Sequence, residues 1–270
     1  MALPTANAAT PLRLISMGGA LTELVYALDA QRSLVGVDST SLYPAAAQAL
    51  PIVGYARTLA AEGLLSLNPS LIVATEDAGP PAVLRQLDAA GVPLQVLAAE
   101  HRFEGLIDRT RKLGALLGRA APAHALAVRL TADWQASLDT VQRLSAGRPA
   151  PRVLFILAHG MNQMRIAGQG TAADAMVAYA GGRNALRHVA GYKPLTPEAV
   201  IAAAPDVILA TEQGLQAAGG VDGLLKLPGL AQTPAGRARR VIAPEAMALL
   251  GFGPRLPQAM SALAHGLFAA

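Results

Sequence analysis

Short apolar runs alternate with stretches whose apolar residues recur every three or four positions through the first 120 residues. The short runs predict β-strands over residues 13–17, 34–37, 70–75 and 93–97. The helical patterns lie between and after them, over residues 20–30, 60–67, 81–91 and 103–118. An alternation of strands and helices is typical of parallel βα units.

One long helical pattern interrupts this alternation between residues 122 and 145. Its apolar stripe recurs at spacings of 4, 4, 4, 3 and 3, through Leu126, Leu130, Trp134, Leu138, Val141 and Leu144. A helix of these 24 residues would span roughly 36 Å. Glycine and two prolines at 147–151 end the pattern, and a second strand–helix series follows.

These patterns predict an α/β protein of two similar lobes, each with a central, mostly parallel sheet. The predicted divisions are a flexible leader (1–12), an N-terminal lobe (13–120), a linker helix (121–148) and a C-terminal lobe (149–270).

An internal repeat supports two lobes of similar build. Residues 61–76 align without a gap with residues 197–212, and Gly54-Tyr55 is echoed by Gly191-Tyr192. The alignment matches Glu62 with Glu198, Pro69 with Pro205, and Glu76 with Glu212. A common helix-to-strand connection through proline would explain the proline match, but not the two glutamates or the shared Ala-Thr-Glu ending.

Composition and charge exclude several classes of protein and of binding site. With 53% hydrophobic and 15% charged residues the chain can bury a large core, and without cysteine it has no disulfide, thiolate metal site or cysteine nucleophile. No apolar run is long enough to span a membrane. The net charge of +4 is scattered, and the short cluster Arg237, Arg239 and Arg240 does not form a nucleic-acid stripe.

The sequence lacks the common enzyme signatures. It contains neither a nucleophile elbow nor a phosphate-binding loop, and its five histidines are far apart, which argues against a zinc enzyme. Residues 1–10 also lack the charged and apolar regions of a signal peptide. The protein is therefore either cytoplasmic or a mature form whose signal has been removed.

Tyr55 and Arg57 form the first candidate site. A phenol has a pKa near 10, and a cation held beside it favours the phenolate. A phenolate is a hard anionic oxygen ligand suited to ferric iron, and tyrosine is one of the axial ligands of haem. The alternative is that Tyr55 packs on its loop while Arg57 is solvated.

A second group of candidates lies in the C-terminal lobe. His159 follows a predicted strand directly, at the strand end where α/β sheets bind ligands. Met161 and Arg165 are predicted in a loop, where methionine offers adaptable apolar surface and arginine can pair with a carboxylate. The alternative is a hairpin that packs on its own lobe.

Glu62 and Glu198 form a matched pair in the two lobes. Each lies in the first turn of a predicted helix, where a carboxylate interacts favourably with the helix dipole. That local role is one explanation. Their symmetry across the repeat also suits docking on a partner with two-fold symmetry.

Three stretches, 54–76, 167–211 and 249–260, resemble the bacterial periplasmic haem-binding proteins that deliver haem to ABC importers. The resemblance extends from about Arg13 to Phe268. It implies two α/β lobes joined by a long rigid helix, a ligand cleft between the lobes, and a periplasmic monomer without catalytic activity. Such a protein reaches the inner membrane only through its transporter.

The resemblance also implies roles for four residues. Tyr55 would be the axial ligand of ferric haem b, the transported ligand, and Arg57 would support its phenolate. Glu62 and Glu198 would face arginines of the two permease subunits. His159, Met161 and Arg165 are candidates for haem contact by position alone.

Two alternatives remain open. Siderophore and cobalamin carriers share the superfamily, although an anionic ferric siderophore would require several convergent Arg or Lys residues. A cytoplasmic α/β enzyme acting on an anionic metabolite would need a nucleophile or cofactor motif.

Overall fold

The computed structural model describes residues 11–158 and 164–269. The chain divides into two compact units. The first comprises residues 11–99 and Arg109–Ala123, and the second comprises Glu100–Asp108 and the described residues from His124 onward. Each unit contains a β-sheet and helices, so the predicted α/β class is confirmed. The lobe boundaries at 120/121 and 148/149 stay predictions.

The first unit is built on a parallel sheet. Its strands are β1 (Leu14–Met17), β2 (Leu34–Val37), β3 (Leu71–Thr75) and β4 (Leu94–Leu97). Within the described residues they form one four-stranded sheet in the order β2-β1-β3-β4, with every neighbouring pair parallel. β1 is buried along its whole length, as its continuous apolar sequence predicts for a central parallel strand.

Short helices cover this sheet. They are α1 (Gly19–Ala27), α2 (Ala61–Leu65) and α3 (Pro81–Ala89), with 3-10 helices at Gln31–Ser33 and Ala45–Ala49. Leu64 of α2 and Leu87 of α3 are fully buried in one core cluster with Ile15 and Ile72 of the sheet. This packing places α2 and α3 beside each other on the sheet.

Two longer helices follow. α4 covers Phe103–Leu116, and α5 covers Ala120–Ser145, close to the predicted 122–145. Leu126, Leu130 and Val141 of the predicted stripe are buried, whereas Leu138 is exposed. Trp134 stacks on Phe103 with 4.7 Å between ring centroids, and it meets Tyr179 edge-on at 4.8 Å.

The second unit contains a mixed sheet. Its strands are β5 (Arg152–Ala158), β6 (Met164–Ala167), β7 (Arg183–Asn184), β8 (Tyr192–Pro194), β9 (Val207–Ala210) and β10 (Val241–Ile242). The main path runs β10-β9-β5-β6-β8, and β7 pairs with β5. The β6 pairings with β5 and β8 are antiparallel, and the other pairings are parallel.

Seven helices accompany the second sheet in the described part of the chain. They are α6 (Ala172–Tyr179), α7 (Pro197–Ala203), α8 (Glu212–Ala217), α9 (Gly220–Leu225), α10 (Pro234–Arg237), α11 (Ala246–Leu250) and α12 (Leu256–Phe268), with a 3-10 helix at Leu230–Gln232.

The prediction that Arg165 lies in a loop is wrong. Met164 and Arg165 belong to β6, which pairs with β5 on one side and β8 on the other. The pairing with β8 brings Arg165 opposite Pro194, a residue 29 positions further along the chain. The local sequence does not show this distant partner.

An ion pair connects the start of β5 with the turn before β9. The Arg152 guanidinium donates to both carboxylate oxygens of Asp206, with Nη2–Oδ1 at 2.8 Å and Nε–Oδ2 at 3.1 Å. The Arg152 backbone N–H also donates to Oδ2 at 2.8 Å. The hydrogen bond from the Arg152 side chain holds the pKa of Asp206 below its ordinary value.

We expect Asp206→Asn to destabilise the fold at neutral pH and to have a smaller effect in acid. The folded pKa of Asp206 is lowered, so its stabilisation is present above the ordinary carboxyl pKa of about 4 and is lost as the pH falls through the folded pKa. Urea unfolding followed by circular dichroism at several pH values measures this. Asp88→Asn, on the exposed face of α3, is the control. A pH-independent difference between wild type and Asp206→Asn would contradict the assignment.

Candidate functional site

The first candidate site lies at the carboxyl edge of the parallel sheet of the first unit. The loops that follow β1, β2 and β3 all leave the sheet at this edge, where α/β folds bind ligands. The segment carrying Tyr55 and Arg57 returns to the same edge. Its backbone bonds are Val53 N–H to the Val37 carbonyl at 2.9 Å and Ser39 N–H to the Gly54 carbonyl at 2.8 Å.

Asp38 holds two of these loops together. Its carboxylate is only 1% exposed. Oδ1 accepts from the Gly18 N–H at 3.0 Å and the Ser41 hydroxyl at 2.9 Å. Oδ2 accepts from Thr40, through its hydroxyl at 2.8 Å and its N–H at 3.2 Å. The β1–α1 turn is therefore fastened to the segment after β2.

Backbone bonds then fasten the Tyr55 segment to the turn after β3. The Gly79 N–H donates to the Ala56 carbonyl at 2.9 Å, and the Leu59 N–H donates to the Gly79 carbonyl at 2.9 Å. Ala56 and Leu59 are buried in the core cluster, while Tyr55 and Arg57 are exposed. The apolar residues anchor this segment and leave the phenol and the guanidinium at the surface.

Tyr55, Arg57 and Asp77 form a connected group. The Arg57 guanidinium carbon lies 5.9 Å from the centroid of the Tyr55 ring. Nε of Arg57 donates to Oδ2 of Asp77 at 2.8 Å, and Nη2 forms an ion pair with the same oxygen at 2.6 Å. The Thr75 hydroxyl donates to the other Asp77 oxygen, Oδ1, at 2.5 Å. Tyr55 is 37% exposed.

The charge state of Asp77 follows from these contacts. Partial burial by itself raises the pKa of Asp77, but the hydrogen bonds from Thr75 and Arg57 and the charge of Arg57 outweigh it. The pKa of Asp77 is therefore below its ordinary value, and Asp77 is a carboxylate at neutral pH. Arg57 carries the opposite charge, so the two side chains form an ion pair beside the Tyr55 ring.

Glu62 and Glu198 both occupy exposed positions in the first turn of their helices, α2 and α7. Each is followed three residues later by an aliphatic residue on the same helix face, Leu65 in α2 and Ile201 in α7. Ile201 is 44% exposed. Leu65 lines an open groove between α2 and α3 with Glu62, Val83 and Gln86. Each glutamate therefore has an apolar neighbour.

The second unit does not reproduce the Tyr–Arg–Asp group. In the repeat, Tyr192 corresponds to Tyr55, but Pro194 and Gln213 stand where Arg57 and Asp77 would be. Tyr192 lies in β8, and the Thr211 hydroxyl caps α8 by accepting from the Gly214 N–H at 3.0 Å.

The other candidates of the second unit are described only in part. Arg165 is exposed on β6, and its Nη2 donates to the Tyr192 carbonyl at 2.8 Å. His159 and Met161 lie outside the described residues. In the ranges 11–158 and 164–269, no group of three or more histidine or acidic residues is arranged to hold a metal ion. Those ranges also contain no helix with the length and apolar character needed to cross a bilayer.

Three residues of the first unit's site were missed by the sequence reasoning: Asp38, Thr75 and Asp77. Each lies at or just after the end of a parallel strand, β2 for Asp38 and β3 for the other two. That position is a usable signal, because residues that follow parallel strands meet at one edge. Only the structure shows that Asp77 is the one that contacts Arg57.

Comparison with known proteins defines the class. The family model described as "Periplasmic binding protein" matches residues 14–246, so the chain belongs to this family. The periplasmic haem-binding protein RhuT from Roseiflexus sp. RS-1, solved in its apo form, is 44% identical with a TM-score of 0.92, over 96% of this chain and 98% of RhuT. The periplasmic haem-binding protein BhuT, solved in complex with two haems, is 47% identical with a TM-score of 0.89, over 94% of this chain and 97% of BhuT. The resemblance found in the sequence is confirmed.

Curated relatives are more distant. A cobalamin-binding protein of Halobacterium salinarum is 26% identical over 204 residues, which cover 74% of this chain. The match spans 53%, about half, of that relative's own length. The family thus includes proteins named for different ligands.

We expect Asp38→Ala to destabilise the protein by at least about 3 kcal/mol, because it leaves several buried donors without an acceptor. Urea unfolding monitored by circular dichroism measures this loss. Asp88→Ala, an exposed carboxylate on α3, is the matched control, with an expected change within about 0.5 kcal/mol. Equal stability losses in the two variants would show that the Asp38 network does not hold the edge together.

Proposed function

We propose that this protein is a periplasmic haem-binding protein that delivers haem to an ABC transporter. The observation that carries the proposal is the exposed Tyr55 ring with the Arg57 guanidinium 5.9 Å from its centroid, at the carboxyl edge of a parallel sheet. The similarity to RhuT and BhuT, both named as haem-binding, supports it at 44% and 47% identity.

In this proposal the ligand is ferric haem b, bound through the Tyr55 phenolate. A cation beside a phenol stabilises its ionised form, and ferric iron prefers an anionic oxygen ligand. Arg57 provides that cation. The protein binds and releases haem without transforming it, so Tyr55 and Arg57 act as binding groups.

Apolar residues on the neighbouring loop suit the porphyrin. Leu42 and Tyr43 are 42% and 50% exposed, unusually high for such side chains, and they directly follow the residues held by Asp38. An apolar disc with two carboxylates requires such surface together with a few cations. We assign Leu42 and Tyr43 to contact with the porphyrin face.

Three further candidates for haem contact belong to the second half of the chain. Arg165 is proposed to pair with a haem propionate, because its guanidinium is exposed and can bind a carboxylate. His159 and Met161, which lie between β5 and β6 in sequence, are also proposed as haem contacts.

Glu62 and Glu198 are proposed to dock the protein on the permease. Each forms a small docking face with its aliphatic neighbour, Glu62 with Leu65 and Glu198 with Ile201. An exposed carboxylate beside an aliphatic side chain fits a partner surface that presents an arginine flanked by apolar residues. Two such faces in one chain fit the two permease subunits of an importer. We further propose that the chain acts as a monomer in the periplasm and meets the inner membrane only through that transporter, with no role in binding nucleic acid.

Cobalamin is the second candidate ligand, because the 26% identical relative from Halobacterium salinarum is named as cobalamin-binding. A competitive titration of the purified protein with hemin, cobalamin and ferric siderophores separates these ligands. Preferential binding of cobalamin or a siderophore would refute the haem assignment.

We expect wild-type protein to bind hemin with the absorption spectrum of tyrosine-ligated ferric haem. Tyr55→Phe removes the ligand oxygen and should lose this spectrum and about tenfold or more in affinity, equivalent to about 1.4 kcal/mol. Tyr26→Phe, on helix α1, is the matched control and should bind as wild type does. If Tyr55→Phe retains the wild-type spectrum and affinity, Tyr55 is not the iron ligand.

We expect Glu62→Gln and Glu198→Gln each to weaken docking by about tenfold, because an interfacial carboxylate loses its cationic partner. Hemin affinity should not change. Stimulation of transporter ATPase activity in proteoliposomes, titrated with haem-loaded protein, measures docking.

Glu76→Gln and Glu212→Gln are the matched controls, since they are also exposed glutamates equivalent in the repeat. Full stimulation by the double variant Glu62→Gln/Glu198→Gln would exclude the docking role.

A further inference from the structure

We propose that Asp77 is a positioning residue that holds the Arg57 guanidinium beside the Tyr55 ring, and that Tyr55 is an effective iron ligand only with Asp77 in place. This inference rests on the proposed haem function. Asp77 is twenty residues from Arg57 in sequence, and it directly follows Thr75-Glu76, the pair that the repeat matches with Thr211-Glu212.

The contacts of Asp77 restrict the orientation of Arg57. Nε of Arg57 donates to Oδ2 at 2.8 Å, and Nη2 lies 2.6 Å from the same oxygen in the ion pair. The other oxygen, Oδ1, accepts from the Thr75 hydroxyl at 2.5 Å. A carboxylate held at both oxygens rotates less freely, so the direction of Oδ2 is restricted. The charge-assisted hydrogen bond to Nε then orients the guanidinium.

Hydrogen bonds also fix the backbone on either side of Asp77. The Ala78 N–H donates to the Thr75 carbonyl at 3.0 Å, which closes the turn after β3, and the Gly79 N–H donates to the Ala56 carbonyl at 2.9 Å. Ala56 lies between Tyr55 and Arg57 in sequence. The carboxylate and the guanidinium therefore belong to two segments joined by a direct backbone hydrogen bond.

Arg57 is a long side chain on an exposed loop, and its ion pair with Asp77 restricts where the guanidinium lies. The arginine side chain of this pair is 60% exposed, and exposed arginines sample many rotamers. Exposed ion pairs contribute little to global stability, so the pair is better explained by orientation than by stability. The repeat agrees with this reading, because the second unit lacks the arginine and the carboxylate together, with Pro194 and Gln213 in their places.

Asp77 affects the midpoint potential of the bound haem in two opposing ways. By holding Arg57 it keeps a positive charge near the bound iron, which raises the ferric–ferrous midpoint potential. Its own negative charge lowers that potential. If Asp77 acts by positioning, Asp77→Ala displaces Arg57 and the potential falls, by less than in Arg57→Ala because the lost negative charge offsets part of the lost positive charge. If Arg57 stays in place without Asp77, the potential rises because only a negative charge has been removed.

The test is a double-mutant cycle on the hemin-loaded protein, with wild type, Asp77→Ala, Arg57→Ala and the double variant. We expect Arg57→Ala to weaken hemin binding about tenfold, as for residues that support a metal ligand. Asp77→Ala should weaken it about fivefold, and Asp77→Ala should add nothing in the Arg57→Ala background. Both single variants should shift the midpoint potential in the negative direction.

Asp222→Ala is the matched control, since it breaks an exposed Asp–Arg pair of the same 2.6 Å length in the second unit. It should leave affinity and potential unchanged. A positive shift in Asp77→Ala, no change, or an equal effect in the Arg57→Ala background would overturn the inference. These results are separable from failure of the proposed function, in which wild type itself would not bind hemin through Tyr55.

Discussion

The hydrogen bonds of the buried Asp38 carboxylate hold together the loops at the carboxyl edge of the first unit's sheet. Burying a carboxylate is unfavourable unless hydrogen bonds replace its water, and here four neutral donors from Gly18, Thr40 and Ser41 do so. The parallel pairing of β1 with β2 places these donors at the same edge. The turn after β1 and the segment after β2 cannot shift independently without exposing or unpairing these groups.

Asp38 and Asp77 are two carboxylates at one edge with different roles. Asp38 is buried and binds backbone and hydroxyl donors, so its effect is on the shape of the edge. Asp77 is partly exposed and binds a guanidinium, so its effect is on where a charge lies. The first role is measured in unfolding free energy, and the second in the properties of a bound ligand.

The internal repeat shows that the two units share a helix–strand scaffold but differ in the side chains at the end of the strand. In both halves a helix with a first-turn glutamate leads through proline to a buried strand, β3 or β9. The matched threonines make different hydrogen bonds: Thr75, the last residue of β3, donates to Asp77, whereas Thr211, just after β9, caps α8. Gly54-Tyr55 precedes a tight turn, whereas Gly191-Tyr192 leads into β8. The scaffold is repeated, whereas the side chains of the candidate site, Tyr55, Arg57 and Asp77, are not repeated together.

Elements whose signal is local could be predicted from the amino-acid sequence. The strand predicted at 34–37 is β2 (Leu34–Val37), and the long helix predicted at 122–145 is α5 (Ala120–Ser145). A short apolar run indicates the first and a periodic apolar stripe the second, and both signals are local. The sequence also identified Tyr55, Arg57 and the two repeat glutamates as candidates. Only the tertiary structure placed Arg165 in β6, paired Asp77 with Arg57 and buried Asp38. Those features depend on contacts between segments far apart in the chain, and hydrogen-bond partners at such distances leave no period or spacing in the sequence.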